Sequence, residues 1–310
     1  MRGRAIGTLL ILTAAALLAS VGCGGGGGDG AAGTPGTAGG VLNVVATTSQ
    51  IAALAREVAG ERAEVRAIIR PGVEPHDFEP TPGDLATLNT ADLVLRHGVG
   101  LDSFLDRAAL RVSGAPVVTA TRGIGDHYGA LGGRDFDPHV WLDPMLAKVM
   151  VENIRDALVT VNPAGRATYE ANAAAYNSRL DEVNRQISEM LAGIPSENRK
   201  IVTNHDAFGY FARRYRLEVV GAVIPTVSSE GEPSAQETAA LLDTIREEGV
   251  KAIFVESTAN PDLARQLARD AGVKVAEGLY VDSLGGPGSG AETVDGMLLA
   301  DARLIAEALK

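Results

Sequence analysis

Cysteine is almost missing from this chain: Cys23 is the only one in 310 residues, so no intramolecular disulfide can form. Histidine is scarce as well, and none of the five falls in the H-E-x-x-H spacing that sets two imidazoles and a general base on one helix face. The pattern G-x-x-x-x-G-K-[ST] does not occur, so the chain has no phosphate-cradling loop with which to hydrolyse a nucleotide. Basic residues are outnumbered 28 to 39, a formal charge of −11. An acidic surface argues against nucleic acid and anionic lipid as partners. What is present is hydrophobic: 45% of the residues, enough for one large or two modest cores and too much for disorder over most of the length.

Residues 1–22 read as a secretory signal, with Arg2 and Arg4 ahead of an apolar run from Ile6 to Leu18 that is too short for a stable membrane span. The position of Cys23 after Val21 and Gly22 resembles a bacterial lipobox, in which the cysteine is lipidated and becomes the new N-terminus; Ser20 stands where such boxes usually carry Leu. Lipidation leaves no thiol, so any metal must be held by nitrogen and oxygen. Loss of Arg2 and Arg4 takes the formal charge from −11 to −13, because no acidic residue precedes Cys23. Residues 23–40, rich in Gly, Ala and Thr, then form a tether that cannot bury a core.

The stretch from Asn162 to Ile194 is predicted to be one long helix. Asn162 suits the N-cap and Pro163 the first helical position, while Gly193 and Pro195 end the run. Tyr169, Ala173, Tyr176, Leu180, Val183, Ile187 and Leu191 recur at three- and four-residue steps, giving one stripe to bury. Such a helix spans about 40–45 Å, long enough to serve as a strut between two lobes. Strict heptads are not kept, which disfavours a coiled coil.

On either side of this strut, short apolar runs alternate with amphipathic segments. LNVVAT, VRAIIR, DLVLRHG and PVVTA are the strand candidates before it, and KIVTN, LEVVGAVI, AIFVES and VKVAEG those after it. The rhythm predicts an α/β fold: two lobes with mostly parallel sheets, at 41–161 and 195–310, joined by the helix at 162–194. A single doubly wound domain with an inserted helix is the weaker alternative. Ligands of such sheets bind at loops beyond the carboxyl ends of strands, and two facing lobes make a cleft from those loops.

Three histidines fit that expectation. His76 follows the strand predicted at Val65 to Ile69, in a loop stiffened by Pro71, Pro75, Pro80 and Pro82. His139 precedes a helix start that Asp143 can cap and Pro144 can open. His205 follows the strand Lys200 to Asn204. Each alone is more often an ordinary loop histidine; three in equivalent places, two before the strut and one after, point to a shared site. His97 and His127 read as structural or solvated.

The segments PHDFEP (75–80), DPHVWLDP (137–144), NHDAFGYF (204–211) and YVDSLGG (280–286) resemble, in order and spacing, the metal-binding lipoproteins of zinc and manganese ABC importers. The resemblance runs from Val41 to Lys310. It implies two α/β lobes joined by one long helix, with metal ligands at His76, His139, His205 and Asp282, two from each lobe. Apart from the resemblance, Asp282 reads equally as a turn residue ahead of the Gly-rich GGPGSG. Asp77, Glu79, Asp137, Asp206 and Glu256 are candidates to orient the imidazoles, and Trp141, Phe78 and Phe208 to wall the site or simply fill the core.

A set of three imidazoles and one carboxylate closes a tetrahedral sphere, whereas hydrolytic zinc sites keep a position open for water. The expectation is therefore capture rather than catalysis. The chain would bind a divalent metal outside the membrane, as a lipid-anchored monomer, and deliver it to a permease driven by a cytoplasmic ATPase. Zn²⁺ is expected because His205 stands where manganese carriers of the family tend to have Glu. Mn²⁺ is the alternative, since the long His-rich loop of many zinc carriers is missing. A metallohydrolase and a surface adhesin are the competing classes.

Overall fold

The computed structural model describes residues 40–107, 114–124, 137–226, 228 and 231–310. The leader, Cys23 and His127 lie outside these residues.

The first sheet is built from β1 (Leu42–Ala46), β2 (Ala63–Ala67), β3 (Leu93–Arg96) and β4 (Val117–Thr119), all parallel, in the spatial order β2-β1-β3-β4. Between these strands run α1 (Ser49–Ala59), α2 (Pro82–Asn89) and the short α3 (Phe104–Arg107). Then come α4 (Pro144–Val161) and α5 (Arg166–Ala192), 27 residues or about 40 Å long. The second sheet repeats the plan with β5 (Lys200–His205), β6 (Glu218–Ile224), β7 (Ala252–Glu256) and β8 (Lys274–Leu279), again parallel, ordered β6-β5-β7-β8. Its helices are α6 (Gly209–Tyr215), α7 (Ala235–Glu247), α8 (Asp262–Ala271) and α9 (Val294–Leu309).

Strand alternation sorts the core into layers. Val44 and Ala46 of β1, Leu93 and Leu95 of β3, Ile201 of β5 and Phe254 of β7 join one apolar cluster that runs through both lobes. Their neighbours Val45 and Val94 face an outer cluster with Ile68, Leu88 and Phe104, and Val202, Ile253 and Val255 face another beneath α7 and α8. The predicted stripe of α5, from Tyr169 to Leu191, is buried at every one of its seven positions and belongs to the shared cluster. The lobes therefore have one continuous interior, seamed by the strut.

The start of the strut differs from expectation. Pro163–Gly165 form a single 3₁₀ turn and α5 begins at Arg166. Asn162 instead ends α4, its backbone N–H donating to the Leu158 carbonyl, and its side chain donates to the Tyr169 hydroxyl at 3.1 Å. The tight return between two antiparallel helices uses the residue for closure rather than for a cap. β2 also sits earlier than predicted, although Ile68 and Ile69 still donate to the Ala46 and Thr47 carbonyls and carry the pairing on towards His76.

Because the interior is shared, Leu180→Ala, at a fully buried position of the strut, should cost about 2–5 kcal/mol and lower a single cooperative transition of both lobes. Calorimetry that resolved two transitions would show the lobes to be independent.

Candidate metal centre

Two loops that follow strands, the last residue of a third strand and one 3₁₀ turn bring the site together. Beyond β2 the chain passes through Pro71 and Pro75 to His76, whose backbone N–H donates to Glu74 Oε1 at 3.0 Å. His139 sits immediately before the turn Val140–Leu142, and Asp143 then caps α4 by accepting from the Met145 N–H at 2.8 Å, with Pro144 in the first turn as expected. His205 is the last residue of β5, inside the strand rather than after it. Asp282 follows β8.

These four residues, and no other such group among the described residues, place ligand-type atoms within 4.8 Å of one another. His139 Nε2 stands 3.2 Å from His76 Nε2 and 3.2 Å from His205 Nε2. The Asp282 carboxylate reaches His139 at 3.3 Å, His205 at 3.4 Å and His76 at 3.6 Å. An ion bonded tetrahedrally at ~2.0–2.1 Å holds its donors about 3.3–3.4 Å apart, so the spacing matches the edges of such a tetrahedron.

The outer nitrogens explain why the inner ones are available. His139 Nδ1 lies 2.7 Å from Asp137 Oδ1, and His205 Nδ1 is hydrogen-bonded to Glu256 Oε1. A carboxylate only accepts, so each Nδ1 carries the proton and a neutral ring turns its Nε2 lone pair inwards. Lone pairs facing one another at this distance repel unless a proton or a metal sits among them. Both oxygens of Asp282 are buried without a well-formed hydrogen bond, which adds an uncompensated anion to the same point.

In the metal-free protein the compensation is protonic. Burial works against a charged His139, but the carboxylates of Asp137 and Asp282 outweigh it and push the imidazole up to about 10. For His205 burial likewise opposes protonation and is outweighed by Glu256 and Asp282, so its value too is raised. Asp282 is pulled well below the usual carboxylate range by the imidazoles, against the effect of its own burial. His97 behaves oppositely: buried fully, it is pushed down to about 4 by desolvation.

Of the orienting candidates, Asp137 and Glu256 take that place, whereas Asp77 accepts from the Ser228 hydroxyl at 2.9 Å at the surface. Trp141 stands against the ring of His139 with centroids 5.4 Å apart. Phe78 does not wall the site; it packs on Phe104 in an outer core, and Phe208 packs on Phe211 in the shared one. His97 is structural, as expected: its Nε2 donates to the Pro138 carbonyl at 2.9 Å and its ring meets Trp141 edge-on. Sequence reasoning missed the contacts that cross between lobes here. Arg214 of α6 grips Asp143 at 2.7 Å, and the Tyr210 hydroxyl donates to the Asp137 carbonyl at 3.0 Å. Neither has a local spacing signal.

With this geometry in hand, the chain matches the family described as the periplasmic zinc-uptake complex component A over residues 44–308. It is 35% identical over 257 residues to the manganese-binding lipoprotein MntA of Halalkalibacterium halodurans, covering 83% of this chain and 85% of that one. It is 34% identical over 250 residues to the iron-binding protein YfeA of Yersinia pestis, covering 78% of each chain. Among solved structures, the periplasmic zinc binding protein TroA of Treponema pallidum superposes with a TM-score of 0.82 at 30% identity, over 87% of this chain and 99% of that one.

In metal-free protein, the ¹⁵N shifts of His139 should report a protonated ring up to about pH 10, and Asp137→Asn should move that titration downwards by removing the neighbouring anion. A His139 that titrates near its ordinary value in the parent protein would contradict the electrostatic account.

Proposed function

We propose a function on one established premise: the chain belongs to the zinc-uptake component A family, the metal-binding proteins of ABC importers. It is a carrier rather than an enzyme, and it works with a permease and its ATPase. On that premise the ligands are His76, His139, His205 and Asp282, and the cargo is Zn²⁺. The observation that carries this reading is the convergence of three imidazole nitrogens and one buried carboxylate at tetrahedral spacing.

Imidazole-rich, four-coordinate sites suit zinc, while manganese favours carboxylate, carbonyl and water oxygens. At any one nitrogen and oxygen site zinc also binds more tightly than manganese. Manganese stays as the second reading because the relative that is 35% identical is named for manganese. We place the protein outside the cytoplasmic membrane as a monomer, held by a lipidated Cys23 through the tether at 24–40. Among the described residues no helix is long and apolar enough to cross a membrane.

Capture follows from the electrostatics. The incoming cation replaces protons on the imidazoles, bonds the freed Nε2 atoms, and balances Asp282. Asp137 and Glu256 keep their hydrogen bonds to the outer nitrogens throughout, holding each ring at its angle and raising its basicity.

Two measurements test this. In calorimetric competition, Zn²⁺ should bind one to one and far more tightly than Mn²⁺, and His205→Glu should narrow the gap. A parent protein that prefers manganese would give the site to that metal, and one that binds neither would end the carrier reading. Because a protonated imidazole cannot ligate, affinity should rise with pH, by about tenfold per unit for each proton displaced. With His139 raised to about 10, this dependence should persist through neutrality, and heats in buffers of different ionisation enthalpy should show at least one proton released at pH 7.4. Zinc binding that releases none would contradict the proposed ligand set.

A further inference from the structure

Asp282 belongs by sequence to the second lobe, yet the backbone that carries it is tied to the first. One residue earlier than Val281, the Tyr280 N–H still bonds within its own lobe, to Asp301 Oδ1 of α9 at 2.8 Å. At Val281 and Ser283, on either side of Asp282, bonds to the first lobe appear. The Val281 carbonyl accepts from Trp141 Nε1 at 3.0 Å and from Gln50 Nε2 at 3.2 Å, so donors from the first lobe fill both of its lone pairs. Ser283 Oγ accepts from the Gly72 N–H at 2.6 Å, on the far side of Asp282 and in the loop that carries His76.

Gln50 and Trp141 are almost completely buried, at 1% and 0% exposure, in places where a polar group is costly unless it is bonded. Trp141 is also the ring that packs against His139. The Asp282 carboxylate has no well-formed hydrogen bond to aim it, so its direction is set by how its backbone is held.

We propose that Trp141 and Gln50 are positioning residues for metal capture: together they clamp the Val281 carbonyl and so hold Asp282 against His76 and His139 whether or not a metal is bound. Three of the ligands then form one preorganised half-site built on the first lobe, and His205, at the end of β5, is the ligand supplied across the cleft. Preorganisation of this kind shows mainly in how slowly the metal leaves, because the clamp keeps the carboxylate in bonding position.

This rests on the reading of Asp282 as a ligand, and the experiment separates the two claims. Trp141→Phe removes the indole N–H while keeping a ring against His139, and Gln50→Leu removes the second donor without touching the aromatic packing. Tyr176→Phe, which removes a strut hydroxyl bonded to Asp295 at 3.0 Å and to no residue of 279–285, is the structural control. Zn²⁺ dissociation into excess chelator and hydrogen exchange of residues 279–285 in metal-free protein are measured for each. The clamp variants should release zinc about tenfold faster, the loss of roughly one net hydrogen bond each, and should exchange faster at 279–285. The control should change only the melting temperature. Clamp variants that melt lower yet keep the parent dissociation rate and exchange would overturn the inference. Equal zinc affinity of the parent and Asp282→Ala would instead overturn the ligand reading, and the inference with it.

Discussion

A carboxylate buried in company with three imidazoles must have positive charge beside it, and most of what surrounds this site can be understood from that requirement. Both oxygens of Asp282 are buried and neither has a well-formed hydrogen bond. Its companions can supply the charge by holding protons or by sharing a cation, and the first option makes the metal-free site a protonated version of the loaded one. Capture then becomes an exchange of charge for charge, with little new burial to accomplish. Asp137 and Glu256 enforce the same exchange from outside, since each keeps one imidazole nitrogen as a donor and so leaves the other facing inwards.

The fold serves this by tying the two walls of the cleft together. Strand ends deliver His205 directly, and a 3₁₀ turn capped by Asp143 delivers His139. The strut contributes no ligand. Its seven buried side chains fuse the interiors of the two lobes, and Arg214 and Tyr210 add polar ties close to the site itself. Interior and rim are thus both tied across the two lobes.

Much of this was legible in the chain, for reasons that differ by residue. The stripe from Tyr169 to Leu191 was readable because helical periodicity is local, and the cap at Asp143 because capping needs only two adjacent residues. His76 and His205 could be singled out because they stand where strands end, the side on which such sheets bind ligands, and His139 because it stands just ahead of a capped helix start. Asp282 could not be separated from a turn residue without a resemblance to known metal carriers. The helix boundary at Asn162 was misplaced because its partner, Tyr169, is engaged only when two helices fold back on each other.

Composition and periodicity therefore decided that this is an acidic α/β protein with two parallel sheets and a strut, one thiol, and imidazoles as its chief ligand candidates. These properties depend on neighbours in the chain. Which carboxylate faces which ring, which lobe holds the Asp282 loop, and how far the imidazoles are displaced from their ordinary acidity were decided in three dimensions. Each depends on groups such as Trp141 and Val281, brought together from distant parts of the chain, and on burial that no local pattern reports.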